Sequence, residues 1–210
     1  MPDNNALAMR AVTMLSLGAA FCLFSSCSHT GNRYFPVTDH KERSSTLGFS
    51  ITPPAGSGWY EKLQANTLYY LKKTPGDEYA IYTTATEISL QAGKADGAAL
   101  VEEVRHDKEL VARAEGYQNV SLRLALEPWH SSLCVRYNQE YENHGVERMA
   151  AEDPVRIRKK GLVCMHPKTP RAGIDICYVE SFRSADPIAT SYGAEGESFI
   201  GSLRFFSIDG

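Results

Sequence analysis

Two segments in the second half of the chain constrain its fold, because their side-chain patterns match in one antiparallel register. The segments are 131–142 and 155–166, and the register turns around Met149. One face receives mostly apolar pairs, which are Leu133 with Met165, Val135 with Val163, Tyr137 with Gly161, and Tyr141 with Ile157. The other face receives Cys134 with Cys164, Asn138 with Lys160, Glu140 with Arg158, and Glu142 with Arg156.

The pairing is selective because side chains alternate between the two faces of a strand. A slip by one residue would set apolar groups against charges, and each matched cross-strand pair contributes about 0.2–1 kcal/mol. The sequence therefore predicts a hairpin of strands Ser131–Glu142 and Val155–His166.

The remaining segments predict an α+β fold with a meandering antiparallel sheet and the order ββ-β-α-ββββ-α. Asp96 is positioned to cap a helix that ends at Gly116, with Leu100, Val104, Val111 and Ala114 near helical spacing. Polar positions of that helix include Glu102, Glu103, Lys108 and Arg113. The other predicted elements are strands Leu47–Thr52, Thr67–Lys73, Tyr79–Ile88, Asn119–Glu127 and Gly173–Phe182, and a last helix over Glu197–Arg204.

An apolar run from Ala11 to Phe24 follows Arg10 near the N-terminus. A run of about 14 residues is too short to cross a bilayer, which needs about 20. A short apolar run behind a positive charge and before small residues is typical of an export signal. We therefore expect the chain to be exported.

The stretch Phe24-Ser25-Ser26-Cys27 resembles the lipobox of bacterial lipoproteins. The resemblance implies cleavage before Cys27, a thioether-linked diacylglycerol on its sulfur and acylation of the new N-terminus, and two or more acyl chains anchor stably. Ser28 fits sorting to the outer membrane, with the protein facing the periplasm. The expected organisation is a signal peptide over 1–26, a polar tether over 27–45 and one domain over 46–208. Ordinary secretion, with Cys27 as a structural thiol, is the alternative.

Three cysteines remain once Cys22 leaves with the signal and Cys27 carries lipid. Exported proteins favour disulfides, and the hairpin register sets Cys134 opposite Cys164. That pairing is the favoured one, with Cys177 as a buried thiol. A Cys164–Cys177 bond across the intervening turn remains open.

Charge narrows the classes of partner. The chain has 22 basic and 25 acidic side chains, a net charge of −3, which excludes the broad basic field of a nucleic-acid binder. The basic strand residues Arg156, Arg158 and Lys160 form a candidate surface for a protein partner, anionic lipid or glycan. The alternative is a solvated strand that Glu140 and Glu142 neutralise.

Catalytic and metal patterns are weak. His130 beside Ser131 and Ser132 suggests a hydrolase acting on envelope material, but no Gly-x-Ser-x-Gly elbow accompanies them. His166 near Cys164 lacks a second ligand at metal-binding spacing. The sequence therefore predicts no enzyme, metal or cofactor.

Several short motifs are similar to PsbP-like domains, a family that includes extrinsic photosystem proteins and many bacterial lipoproteins. The motifs are the segments 47–54, 58–60, 161–167, 177–183 and 198–205. The resemblance implies an α/β/α sandwich around an antiparallel sheet. Its members act mostly as assembly factors, chaperones or binding modules without shared catalytic residues. We therefore expect a membrane-anchored, non-catalytic protein-binding or assembly module, with a hydrolase and a small-ligand or lipid carrier as alternatives.

Overall fold

In the part of the chain that the structure describes, eight strands form one main sheet, and every neighbouring pair in it is antiparallel. The computed structural model describes residues 34–46, 48–64, 66–74, 79–91, 96–144, 154–169, 171–182 and 191–206. The predicted signal peptide over 1–26, the predicted lipidation site Cys27 and the predicted turn at Met149 lie outside these residues. The predicted α+β class is confirmed.

The described elements are thirteen in number. The first six strands are β1 (Phe35–Pro36), β2 (Arg43–Ser44), β3 (Phe49–Ile51), β4 (Trp59–Gln64), β5 (Thr67–Lys72) and β6 (Tyr79–Ser89). Then follow α1 (Gly97–Ala114), β7 (Gln118–Trp129), β8 (Ser132–Asn143), β9 (Val155–Met165), β10 (Ala172–Phe182), α2 (Ser191–Gly201) and β11 (Arg204–Phe205).

The chain builds the sheet from two meanders. Strands β4, β5 and β6 pair in sequence, and α1 then carries the chain to the far edge, where β7 starts a second meander. That meander returns through β8 and β9 until β10 pairs with β6, which closes the order β1-β4-β5-β6-β10-β9-β8-β7. A small second sheet has the order β11-β3-β2.

The β8–β9 hairpin has the predicted register. Cys134 faces Cys164, and the charged pairs Glu140 with Arg158 and Glu142 with Arg156 lie opposite each other as expected. The predicted Cys134–Cys164 disulfide is present, with the two Cα atoms 4.1 Å apart, and Cys177 is a buried free thiol. The period-two pattern was therefore sufficient to position these two strands.

The two helices cover opposite faces of the sheet, and each face has its own apolar core. Helix α1 contributes Leu100 and Val104 to one core, together with Val135, Val163 and Val179 from the strands. Helix α2 and the segment after it contribute to the other core, with Phe199, Ile200 and Leu203 packed against Leu162, Cys164, Ile174 and Ile176. Residues that alternate along β8, β9 and β10 divide between the two cores.

The predicted element order was incomplete at the N-terminal side. Strand β4 was not predicted, because Glu61, Lys62 and Gln64 interrupt any apolar run. The predicted tether, 27–45, is described from residue 34 onward. There Phe35 pairs with Glu61 on β4, and Arg43 pairs with Ile51 on β3. These pairings depend on strands that are distant in sequence, so local pattern did not reveal them.

The last helix was predicted over Glu197–Arg204, and both bounds were wrong. Helix α2 covers Ser191–Gly201, and Arg204 instead pairs with Ser50 in the small sheet. Two glycines, Gly193 and Gly196, lower the local helix propensity. Gly196 has a tertiary role, because a Cβ there would collide with the ring of Tyr178.

Gly161 on β9 allows a tyrosine to lie flat across the sheet. A Cβ at this position would lie 2.5 Å from the carbonyl oxygen of Ile176 and 2.6 Å from Cζ of Tyr137. Both distances are shorter than any normal contact, and the first involves backbone. The missing side chain therefore lets the Tyr137 ring extend from β8 across β9 toward β10.

We predict that Gly161→Ala destabilises the protein by about 1–3 kcal/mol, because the added methyl overpacks a rigid interior. Gly193→Ala is the matched control, since a Cβ there meets nothing within 4 Å and alanine favours a helix by up to about 1 kcal/mol. Urea unfolding of both variants measures the difference. Equal stability of the two variants would contradict the packing described for Tyr137.

Candidate functional site

The α2 side of β8 and β9 carries a row of polar residues that we call the charged face. It consists of Asn138, Glu140 and Glu142 on β8 and Arg156, Arg158 and Lys160 on β9. Helix α2 packs mainly against β10 and β6, so this end of the sheet is open. The side chains of Arg156, Arg158 and Lys160 are 51%, 39% and 49% exposed.

Each of the three cations lies beside a carboxylate. Arg156 Nε is 3.9 Å from Glu142 Oε1, and Arg158 Nε is 3.6 Å from Glu140 Oε1. Lys160 Nζ is 4.0 Å from Oε1 of Glu197 on α2. The charged face therefore carries both signs of charge. Its geometry is closer to the alternative that we drew from the sequence, a strand neutralised by Glu140 and Glu142, than to a purely basic patch.

These ion pairs are loose. Charge-assisted hydrogen bonds join nitrogen and oxygen at about 2.7–2.9 Å, whereas the three distances here are 3.6–4.0 Å. Exposed pairs of this kind contribute about 0–1 kcal/mol each and are screened by salt. The charges can therefore exchange their neighbours at little cost.

One carboxylate of the charged face is held in its ionised form. Asn119 lies at an irregularity in the β7–β8 pairing, with φ of 52°, and its Nδ2 donates to Glu142 Oε2 at 2.6 Å. This hydrogen bond, with smaller contributions from His144 and Arg156, lowers the pKa of Glu142. The negative member of the Arg156 pair is thus present across the neutral range.

A hollow of about 220 Å³ opens beside the charged face. Its lining includes Tyr141, Ile157 and Phe182 together with the charged side chains of Glu140, Glu142, Arg156 and Arg158. The guanidinium of Arg158 lies 5.0 Å from the centre of the Phe182 ring, a cation–π geometry. The rings of Phe182 and Tyr141 are themselves buried, so what the hollow presents is mainly the charged side chains of both signs.

The structure does not join His130 to a serine nucleophile. His130 lies in the turn between β7 and β8 with φ of 52°, and its Nε2 accepts a hydrogen bond from Arg204 at 3.2 Å. Ser131 is exposed, while Ser132 is buried and donates its hydroxyl hydrogen to the carbonyl oxygen of Met165. These contacts organise a turn and do not create a base–nucleophile pair.

His166 has a local structural role. Its Nδ1 accepts hydrogen bonds from the backbone N–H groups of Lys168 and Thr169, at 3.2 and 2.9 Å, in the turn before β10. Its neighbour Cys164 is in the disulfide. Among the residues that the structure describes, no group of three or more histidine, cysteine, aspartate or glutamate side chains could hold a metal ion.

A larger cleft of about 610 Å³ lies beside α1. Polar side chains line much of it, including Gln91, Glu103, His106 and Asp107, while Leu110 contributes apolar surface. A lipid carrier would need a predominantly apolar cavity. The small-ligand or lipid-carrier alternative stays a prediction.

A buried polar cluster beneath α1 was not predicted from the sequence. Lys108 Nζ lies 2.5 Å from Asp175 Oδ2, and the Tyr137 hydroxyl donates to Asp175 Oδ1 at 2.8 Å. Lys108 and Asp175 are only 6% and 16% exposed in their side chains. Burial alone would raise the pKa of Asp175, but the charges of Lys108 and Lys159 and the two hydrogen bonds outweigh it and lower that pKa.

The same cluster surrounds Tyr137 with cations. Lys108 Nζ lies 4.7 Å and Lys159 Nζ 5.7 Å from the centre of its ring. Attraction to Cys177, followed by Asp175, raises the pKa of Lys159 despite burial. Cys177 faces Thr84 across the β6–β10 pairing, with its sulfur 3.1 Å from the threonine hydroxyl. One buried lysine, Lys108, and one half-buried lysine, Lys159, therefore lie around one aspartate and an aromatic ring.

Sequence reasoning assigned Lys108 to the polar side of the helix, and this was wrong. The buried face of α1 follows Leu100, Val104, Lys108 and Ala112, a strict i, i+4 row, whereas the predicted core residue Val111 is half exposed. A lysine in such a row is a signal for a buried pair, but its partner lies 67 residues away on β10. Only tertiary structure brings the two together.

Comparison with known proteins finds no protein family whose model matches this chain and no significant match among curated proteins. Within the described residues, neither helix has the length and apolar character needed to cross a membrane.

We predict that Asp175→Asn destabilises the protein at neutral pH by about 3–5 kcal/mol, because it leaves Lys108 buried without its main counter-charge. The pKa of Asp175 is lowered in the folded state. Its contribution is therefore complete above the unfolded pKa of about 3.9 and is lost as the pH falls through the folded pKa. In thermal unfolding between pH 7 and pH 2, the variant should therefore lose less stability on acidification than the wild type.

The exposed pair Arg105–Glu102 supplies the control for this measurement. Glu102→Gln should change stability by less than about 0.5 kcal/mol. The double variant Lys108→Met with Asp175→Asn should recover much of the loss, since it removes the uncompensated charge. An Asp175→Asn protein as stable as the wild type would show that this buried pair does not contribute.

Proposed function

We propose that this chain is a lipid-anchored lipoprotein of the bacterial envelope whose single domain, related to PsbP-like domains, binds a protein partner without catalysing a reaction. The N-terminal pattern ending at Cys27 supports the anchor. An antiparallel sheet with a helix on each face is compatible with the PsbP-like resemblance. The anchor would hold the domain at a membrane surface, close to a partner at the same surface.

The observation that carries the binding proposal is the open charged face. Three cations on one strand are 39–51% exposed in their side chains. Each has an acidic neighbour, but the ion pairs between them are long. A partner with carboxylates can replace those pairs with shorter, charge-assisted bonds. The glutamates in turn remain available for cations of the partner.

A mixed-charge face favours recognition by charge pattern. Complementary charges orient a partner during encounter and penalise wrong registers, while adding modest affinity. Such a complex should weaken as ionic strength rises, because the Debye length falls from about 10 Å at 0.1 M to about 3 Å at 1 M.

If the chain is lipid-anchored as proposed, Cys27 should carry covalent lipid. Cells grown with labelled palmitate should incorporate label into the wild-type chain and into Cys177→Ser, but not into Cys27→Ser, because only Cys27 follows the lipobox-like stretch. Gel fluorography of the purified chains measures this. Label in Cys27→Ser, or none in the wild type, would remove the lipid anchor from the proposal.

The charged face predicts a site-dependent complex. A photoreactive amino acid at Asn138 should yield a crosslinked species in intact cells that the same probe at Arg113, on the exposed side of α1, does not give. Reversal of Arg158 and Lys160 to glutamate should lower its yield by about tenfold, because repulsion replaces two exposed attractions of up to about 1 kcal/mol each.

The matched control reverses Arg105 and Arg113, which changes the net charge by the same amount on a different surface. That variant should keep the yield within about twofold. Equal losses in both double variants would indicate a general charge effect, and no loss in either would exclude the charged face as the contact surface.

A further inference from the structure

Strand β7 forms a long edge of the main sheet. It covers Gln118–Trp129, twelve residues, and it is the last strand in the sheet order, paired only with β8 within the described part of the chain. The opposite edge is the two-residue strand β1. Unpaired edge strands present a row of backbone donors and acceptors that can bind another strand.

The disulfide shows which backbone groups of β7 point outward. The Cα distance of 4.1 Å between Cys134 and Cys164 marks a close, non-hydrogen-bonded pair. The backbone groups of Cys134 therefore point away from β9, toward its β7 partner Glu127. Odd-numbered residues of β7 bond to β8, and the even-numbered residues direct their N–H and C=O groups outward.

Pro128 supports this assignment independently. A proline has no N–H group and is tolerated in a sheet only where no ladder bond is needed, as on an outer edge. Pro128 is even-numbered, so its nitrogen lies on the outward side. Together with the irregularity at Asn119, it limits the outward-bonding segment to Val120–Glu127.

That segment is complementary to itself in one antiparallel register. If two copies pair about a twofold axis at Ala125, then Arg123 of each copy faces Glu127 of the other, and Leu124 faces Leu126. The leucine pairs are the hydrogen-bonded ones, because even-numbered residues point outward. Arg123 has no described ion pair or hydrogen bond that would compete with a bond to Glu127 of the second copy. Glu127 already binds Arg136 of its own chain, at 2.5 Å.

Neighbouring registers are less favourable. An axis at Arg123 would set two arginines against each other. An axis at Leu124 or Leu126 would leave Arg123 opposite Ala125 or Trp129 and would lose the charge pairing. Charge complementarity therefore selects the axis at Ala125.

The exposed apolar side chains of β7 also favour the register about Ala125. Leu126 is 49% exposed and Val120 is 41% exposed, on the side of the sheet that α1 covers only in part. In the register about Ala125, Leu126 would pack against Leu124 of the second copy. This burial would remove exposed apolar area from water.

We propose that β7 is a self-association edge, at which two copies of the chain pair antiparallel about Ala125 and join their sheets into one. The interface is a strand edge that adjoins the charged face, since Arg123 on β7 lies opposite Asn138 on β8. It does not depend on the anchor or on the proposed partner. Each copy would keep its charged face exposed, so the dimer would present two of them.

The test uses the full chain, purified in detergent and treated with a mild oxidant. In Ala125→Cys the two new thiols would face each other at a Cα distance of about 4.5 Å, which suits a disulfide. In Ser121→Cys, on the same face of β7, they would lie about 27 Å apart at 3.4 Å per residue. We expect at least tenfold more disulfide-linked dimer from Ala125→Cys on non-reducing gels.

Two further variants in the Ala125→Cys background isolate the charge pairing. Arg123→Glu should lower the dimer yield by about tenfold because it sets two glutamates against each other twice, whereas Arg113→Glu should leave it unchanged. Sedimentation of the chain with native Ala125 should show a dimer that Arg123→Glu shifts to monomer, a readout that needs no added cysteine. Equal crosslinking at positions 121 and 125, or a wild-type monomer at tens of micromolar, would overturn the proposal.

Discussion

The antiparallel pairing of β8 with β9 decides which side chains of these strands face each helix. Side chains alternate along a strand, so one register assigns every residue of these strands to the α1 side or the α2 side. The Cys134–Cys164 bond holds that register covalently. It also establishes which backbone groups face β7, and therefore what the outer edge of the sheet can bind.

This alternation gives the two sides of one hairpin opposite character. On the α2 side, Arg156 and Arg158 lie beyond the helix and keep loose, solvated ion pairs. On the α1 side, Tyr137 crosses Gly161 to reach Asp175, which Lys108 neutralises in the interior. The first arrangement contributes little to stability and leaves charges available for recognition. The second is costly to break and serves to position α1 on the sheet.

The described polar groups are largely occupied by structural contacts. His130 bonds Arg204, His166 accepts from its own turn, and Ser132 bonds the backbone of Met165. The accessible features that remain are a mixed-charge face and a long strand edge. Both features suit association with other proteins, and a lipid anchor would restrict that association to the plane of a membrane.

Features that depend on neighbouring residues or on the period of the side-chain pattern could be predicted from the sequence. The alternation of 131–142 and 155–166 predicted the hairpin and its disulfide, and Asp96 predicted the start of α1, where its side chain accepts from Ala98 and Ala99. Tertiary structure decided what depends on distant partners. Strand β4 pairs with β1 and β5, Gly196 leaves room on α2 for the ring of Tyr178, and Lys108 is buried against Asp175. Local pattern indicates which face of an element a side chain occupies. A buried ion pair or a close contact at a glycine stabilises the fold only when the partner element packs against it.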